Sequence, residues 1–151
     1  MDWAFDISLK NRAILKSFID SFSLEEINKI PQGFNNNLIW NIAHIIASQQ
    51  ILVYRLSGLP TMVSDEMIEM FKKGTRPERD LIQTEIDEIK SLLFSPIEKT
   101  KEDYHSGLFE NFQEYTTSTN STLTNVEDAI WFNTYHEGIH LGYILALKKS
   151  L

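Results

Sequence analysis

The 151 residues are 42% hydrophobic and 23% charged, ordinary proportions for a globular chain, and the length suits one domain over 1–151 with a sizeable core. A net charge of −7 and the lack of a basic stripe argue against a nucleic-acid surface, since phosphate neutralisation needs clustered Lys and Arg. No run approaches the ~18 apolar residues of a membrane span, and the absence of cysteine removes disulfides and thiolate ligands together. The opening MDWAFDISLK has Asp2 and Asp6 within its apolar stretch and no basic leader. It does not read as a signal peptide, and a cytoplasmic location is expected.

Trp3, Ile7, Ile14, Phe18 and Phe22 recur at helical spacing and predict a first long helix over 3–22. Ser23 followed by Glu26 has capping-box form, so SLEEINKI predicts a short helix before Pro31. The run FNNN offers turn residues and a cap for a second long helix, about Asn37 to Leu56. That helix should end at SGLP, with Gly58 suited to the position just past it. SDEMIEMFKKG predicts a short helix closed by Gly74. A third long helix is expected from near Thr84, with Asp87 three residues on, to His105, kinked or broken at Pro96. LFENFQEYTTSTNSTLTN predicts an extended loop or small hairpin. Asn125 or Thr124 then caps a fourth long helix that carries Glu127 and Asp128 in its first turn and runs to about Lys149. Four long helices without a convincing strand set predict an all-α four-helix bundle.

The chemistry concentrates in three histidines. His136 and His140 lie four apart in YHEGIHLGYILALKK, which on a helix puts their Cβ atoms about 5–6 Å apart on one face. His44, in LIWNIAHIIASQQ, is the natural third member. Three imidazoles can share one cation and leave a position open, as catalytic zinc sites do. The string His-Glu-x-x-His also suggests a zinc peptidase with Glu137 as general base. Such an enzyme takes its third ligand from beyond the motif, and Leu141 to Leu151 contain no His, Asp, Glu or Cys. A haem shared by His136 and His140 fails because neighbours on one helix cannot reach opposite faces of a porphyrin.

Around these residues, Asn37, Asn41, His44 and Ser48 form a polar stripe on the second helix. On the fourth, Ala129, Phe132, Asn133, His136, Ile139, His140, Tyr143 and Leu147 are expected to share the inward face. Asn41, Ser48 and Asn133 are candidates to orient substrate or the ligands, and Trp40, one turn before His44, to line the pocket. Glu137 lies about 100° round the helix from His136 and should point away from the site, in a structural role as a hydrogen bond or ion pair at its edge. His105 in KTKEDYHSG, and the acidic groups of EDYH and VEDA, are expected at solvated helix ends, with Trp3, Trp40 and Trp131 in core and interface packing. Ser48 lacks the elbow motif of a nucleophile.

With these residues in view, the chain resembles the DinB-like (DinB/YfiT-like) family of small metal-binding four-helix proteins over nearly its whole length. The resemblance is carried by LIWNIAHII, by SGLP and by DAIWFNTYHEGIHLGYILALKK. It implies metal ligation by His44, His136 and His140, and an unusual long connection between second and third helices, here Gly58 to Arg79. It further implies an enzyme of the thiol-dependent S-transferase or hydrolase type acting on a small-molecule substrate, with a divalent transition metal whose identity stays open, since imidazole suits Zn, Ni, Cu and Fe alike, zinc or nickel foremost. A low-molecular-weight thiol would then be a second cofactor. The alternative is a non-enzymatic metal-binding or stress-response protein. No nucleic-acid or membrane partner is expected, and the apolar first and fourth helices predict a homodimer.

Overall fold

The computed structural model describes residues 1–151. Helix α1 spans Asp2–Ser21 and the short α2 spans Leu24–Asn28. The predicted capping box is present, Ser23 Oγ accepting from the Glu26 backbone N–H while the Glu26 carboxylate accepts from Ser23. Helix α3, Leu38–Gln49, begins at Asn37, whose side chain accepts from the Trp40 N–H. It continues without a break into a π-helical segment, Gln50–Arg55, where Leu56 N–H reaches back five residues to the Ile51 carbonyl. Gly58 follows with φ +72°, the left-handed conformation expected of it.

The long connection contains α4, Asp65–Phe71, capped by Ser64. The third rod is broken as expected, though slightly ahead of the proline. It is two helices, α5 over Gln83–Ser91 and α6 over Ser95–His105, and the break falls at residues 92–94, ahead of Pro96. Pro96 sits in the first turn of α6, where its missing N–H would have had no helical partner. Thr84 and Asp87 do not cap α5; the Glu85 carboxylate does, accepting from the Ile82 backbone N–H. The Thr-rich segment forms a small antiparallel hairpin, β1 (Tyr115–Thr116) on β2 (Thr122–Leu123). Helix α7, Val126–Leu147, is capped by Asn125 and ends in a 3-10 turn, Lys148–Ser150. The result is an all-α fold, with α7 packed on α1 and α3, α6 on α1, and α4 laid across α3. No helix is long and apolar enough to cross a membrane.

Two apolar clusters fill the interior. One gathers Leu15, Phe18, Ile42, Ile46, Leu93 and Ile144; the other gathers Phe5, Val53, Ile97, Ala129 and Ile130. Along α1, α3 and α7 the buried residues between these clusters are polar: Ser8 and Arg12, then Ser48, Gln49 and Gln50, then Asn133 and Glu137. Most side chains of this layer bond one another or their neighbours, as burial of polar groups demands. Gln49 donates to Thr100 Oγ1 at 2.7 Å, and Gln50 donates to Gln49 at 2.7 Å.

Three expectations need correction. The inward face of α7 runs through Val126, Ala129, Ile130, Asn133, Glu137, Ile144 and Leu147; it is turned from the predicted one, leaving Ile139 48% exposed. Trp3 and Trp131 are not in the core but meet on the surface across α1 and α7, ring centroids 6.0 Å apart. Asp103 of EDYH is buried and accepts from the Tyr54 hydroxyl at 2.7 Å, although its neighbours at this helix end are exposed or partly exposed.

Candidate metal centre

His44 stands near the middle of α3, and His136 and His140 near the middle of α7. Packing of the two helices brings the rings together, with centroids 5.1 Å apart for His44 and His136, 4.7 Å for His44 and His140, and 4.5 Å for His136 and His140. One nitrogen from each lies within 4.8 Å of the others. Nitrogens sharing one tetrahedral zinc at ~2.0–2.1 Å stand roughly 3.3 Å apart. A small ring movement therefore separates the observed cluster from ligation.

Two of the rings have their orientation and tautomer set by outer partners. His44 Nδ1–H donates to the Phe71 carbonyl at 2.5 Å, from the end of α4. His140 Nδ1–H donates to Asn41 Oδ1 at 2.9 Å, and Asn41 Nδ2–H is anchored on the Asn37 carbonyl at 2.7 Å. Each bond commits Nδ1 as donor and leaves the lone pair on Nε2. Trp40 stacks on His44 at 4.7 Å with the planes 10° apart, and Ser48 Oγ is 3.3 Å from His44 Nε2. Asn41, Ser48 and Trp40 thus each touch one of the clustered rings, but Trp40, expected to line the pocket, is not on the wall of the cavity at the histidines. Asn133 instead donates to Glu137 Oε1 at 2.9 Å. His136 Nδ1 is buried and has no hydrogen-bond partner, and the donor set itself is the three converging imidazole nitrogens. The residues fit a divalent ion.

Electrostatics point the same way. Burial is the main force pushing all three imidazoles below their ordinary value, His136 to about 4 and His140 to about 3. Neighbouring imidazoles add to the effect for His136 and His140. The rings are neutral near pH 7, the form that ligates. An unfolded chain would protonate them near ~6.5. Between that value and the folded one, the unfolded state binds more protons, so stability falls as the pH drops. We expect the melting temperature of metal-free protein to decline steadily from pH 7 to pH 4. A flat profile would contradict a buried neutral cluster.

The cluster opens onto a cavity of about 370 Å³ walled by Ile51, Leu52, Leu56, Phe132 and Ile139, with Tyr115, Thr117 and Ser118 of the hairpin region opposite. Lys73 is the one Lys or Arg on its wall. The π-helical segment supplies Ile51 and Leu52, so the widened turn shapes the site directly.

Glu137 is absent from that wall. It is fully buried and paired with Arg12, itself fully buried: Arg12 Nη2 donates to Oε1 at 2.8 Å and Nε to the same oxygen at 3.2 Å. Arg12 Nη1 completes the fork on the Leu93 carbonyl at 3.1 Å. The expected ion pair exists, but in the core and not at the site's edge. Arg12 was not anticipated, although it continues the buried register Phe5, Ser8, Arg12, Leu15, Ile19. His105 is 48% exposed and faces Asp2 at 3.3 Å, away from the cluster.

Comparison with curated proteins finds no match. A family model described as the DinB superfamily matches residues 9–144, which include all three clustered histidines. A helical bundle with a three-histidine cluster on its second and last long helices is compatible with metal binding, and the chain belongs to the DinB superfamily.

Proposed function

We propose that His44, His136 and His140 hold a divalent transition metal ion, zinc or nickel, and that the protein is a metal-dependent enzyme. Its reaction is of the thiol-dependent S-transferase or hydrolase type, on a small molecule. The carrying observation is that three neutral imidazoles face one cavity of about 370 Å³. When bound, such an ion supplies Lewis-acid activation of a water or a small thiol. The chain's own residues do the rest. Phe71 and Asn41 hold two imidazoles in place, Ile51, Leu52 and Phe132 exclude water, and Lys73 orients a substrate or thiol bearing an anionic group. Asn133 serves the site through its neighbours.

Elemental analysis of protein purified without an affinity tag should return a divalent ion in stoichiometric amount. Turnover of electrophiles with low-molecular-weight thiols, or of esters, should follow the metal, and Lys73→Met should raise KM for anionic substrates more than for neutral ones. Full metal occupancy without turnover across both panels would favour a non-enzymatic metal-binding protein.

We further propose that residues 1–151 form one domain and pair as a homodimer. Trp3, Ile14, Trp131 and Tyr135 are exposed apolar or aromatic side chains on α1 and α7, with Trp3 and Trp131 in contact. Light scattering should give twice the chain mass of 17.5 kDa. A mass of one chain at high concentration would remove this proposal.

A further inference from the structure

Three buried side-chain atoms have no hydrogen-bond partner: Asn133 Oδ1, His136 Nδ1 and Glu137 Oε2. All three lie within about one turn of α7, and their needs are complementary. Glu137, ionised against Arg12, can only accept. Asn133 Nδ2–H donates to Glu137 Oε1 at 2.9 Å. Flipping that amide would set oxygen against carboxylate oxygen, so Asn133 Oδ1 is held facing elsewhere with its accepting capacity free. His136 follows three residues later, a neighbour of Asn133 on the helix surface. The other two clustered histidines each commit Nδ1–H to an oxygen; His136 is the exception.

We propose that the buried chain Arg12–Glu137–Asn133 positions His136, fixing it as the Nδ1–H tautomer through one water that accepts from Nδ1–H and donates to Asn133 Oδ1 and Glu137 Oε2. One donor and two acceptors are the complement of a water's one used lone pair and two hydrogens, and buried waters typically make about three such bonds. The polar layer between the apolar clusters then has a purpose beyond its own hydrogen bonds. It presents the third Nε2 in the same sense as those of His44 and His140. Arg12, Asn133 and Glu137 are positioning residues; none lines the cavity. The affinity part of this inference rests on the metal reading above, whereas the tautomer part does not.

The test is nitrogen-15 NMR of the histidine rings in metal-free protein, with zinc affinity measured alongside. Wild-type His136 should carry its proton on Nδ1, against the preference of free imidazole side chains in water for Nε2–H. Asn133→Leu should shift His136 toward Nε2–H while His44 and His140 keep their signals, and should weaken zinc binding by about 10–100-fold, the usual size of an outer-partner loss. The double variant Arg12→Met/Glu137→Leu, which removes the ion pair without stranding a charge, should move the His136 signal the same way. Nε2–H at His136 in the wild type overturns the proposal whether or not any variant folds. So does an unshifted His136 in a folded variant. Zinc that fails to bind a wild-type protein showing Nδ1–H would refute the metal reading and leave the positioning chain standing.

Discussion

Replacing any one of His44, His136 or His140 by alanine is expected to strip the protein of most of its bound metal, while His105→Ala leaves the content unchanged. Each of the three contributes one nitrogen to a set gathered within 4.8 Å, and no carboxylate or further imidazole stands in that set to replace a missing member. The loss should exceed the ~10–100-fold typical of removing an outer partner. His105 is the internal control, because it sits at the end of α6 beside Asp2. Metal content by elemental analysis, with circular dichroism to confirm helicity, decides the matter. Metal retained by His44→Ala but lost from His105→Ala would refute the two-helix site.

The largest effect on stability is expected at Arg12. Arg12→Ala leaves the Glu137 carboxylate fully buried with Asn133 as the one side chain still donating to it. Breaking a buried pair from one side typically costs ~3–5 kcal/mol, because a charge remains in a medium that cannot solvate it. For a chain of this length that corresponds to a melting temperature lower by on the order of 10 °C. Glu137→Gln strands the Arg12 guanidinium in the same way. Arg12→Met/Glu137→Leu together should recover most of the loss, since apolar replacement of a whole buried pair is often close to neutral. Denaturant titration of metal-free protein checks this. A single variant within about 1 kcal/mol of wild type would mean that the pair is solvated in solution. A zinc-peptidase role for Glu137 finds no support in this geometry, as the carboxylate does not face the cavity.

The bundle was legible because helical periodicity and caps are local signals. Ser23 with Glu26, Asn37, Ser64 and Asn125 all occupy the cap positions their types favour. The histidine cluster was legible because a spacing of four and a third histidine on an amphipathic helix leave few arrangements. What escaped depends on how helices turn against one another. A rotation of α7 by a fraction of a turn separates a face read from apolar residues from the face that is buried. Ile139 and Glu137 exchange places as a result, since a carboxylate is tolerated inside only when a partner such as Arg12 arrives from a distant helix. The π-helical segment was equally hidden: QILVYR satisfies an α-helical pattern, and only tertiary packing decides that Leu56 bonds Ile51. The role of Phe71 is played by its backbone carbonyl, which no side-chain motif encodes.

The two helices that carry the cluster are remote along the chain: His140 and its partner Asn41 are 99 positions apart. An ion gripped by both would close a very large loop, and in the unfolded chain only His136 and His140 would remain neighbours. In chain-entropy terms, closing a loop of ~100 residues is worth about 4–5 kcal/mol, the scale of a disulfide. A protein without a single cysteine would thus possess a removable staple, fastened by metal and opened by a chelator with no covalent bond broken.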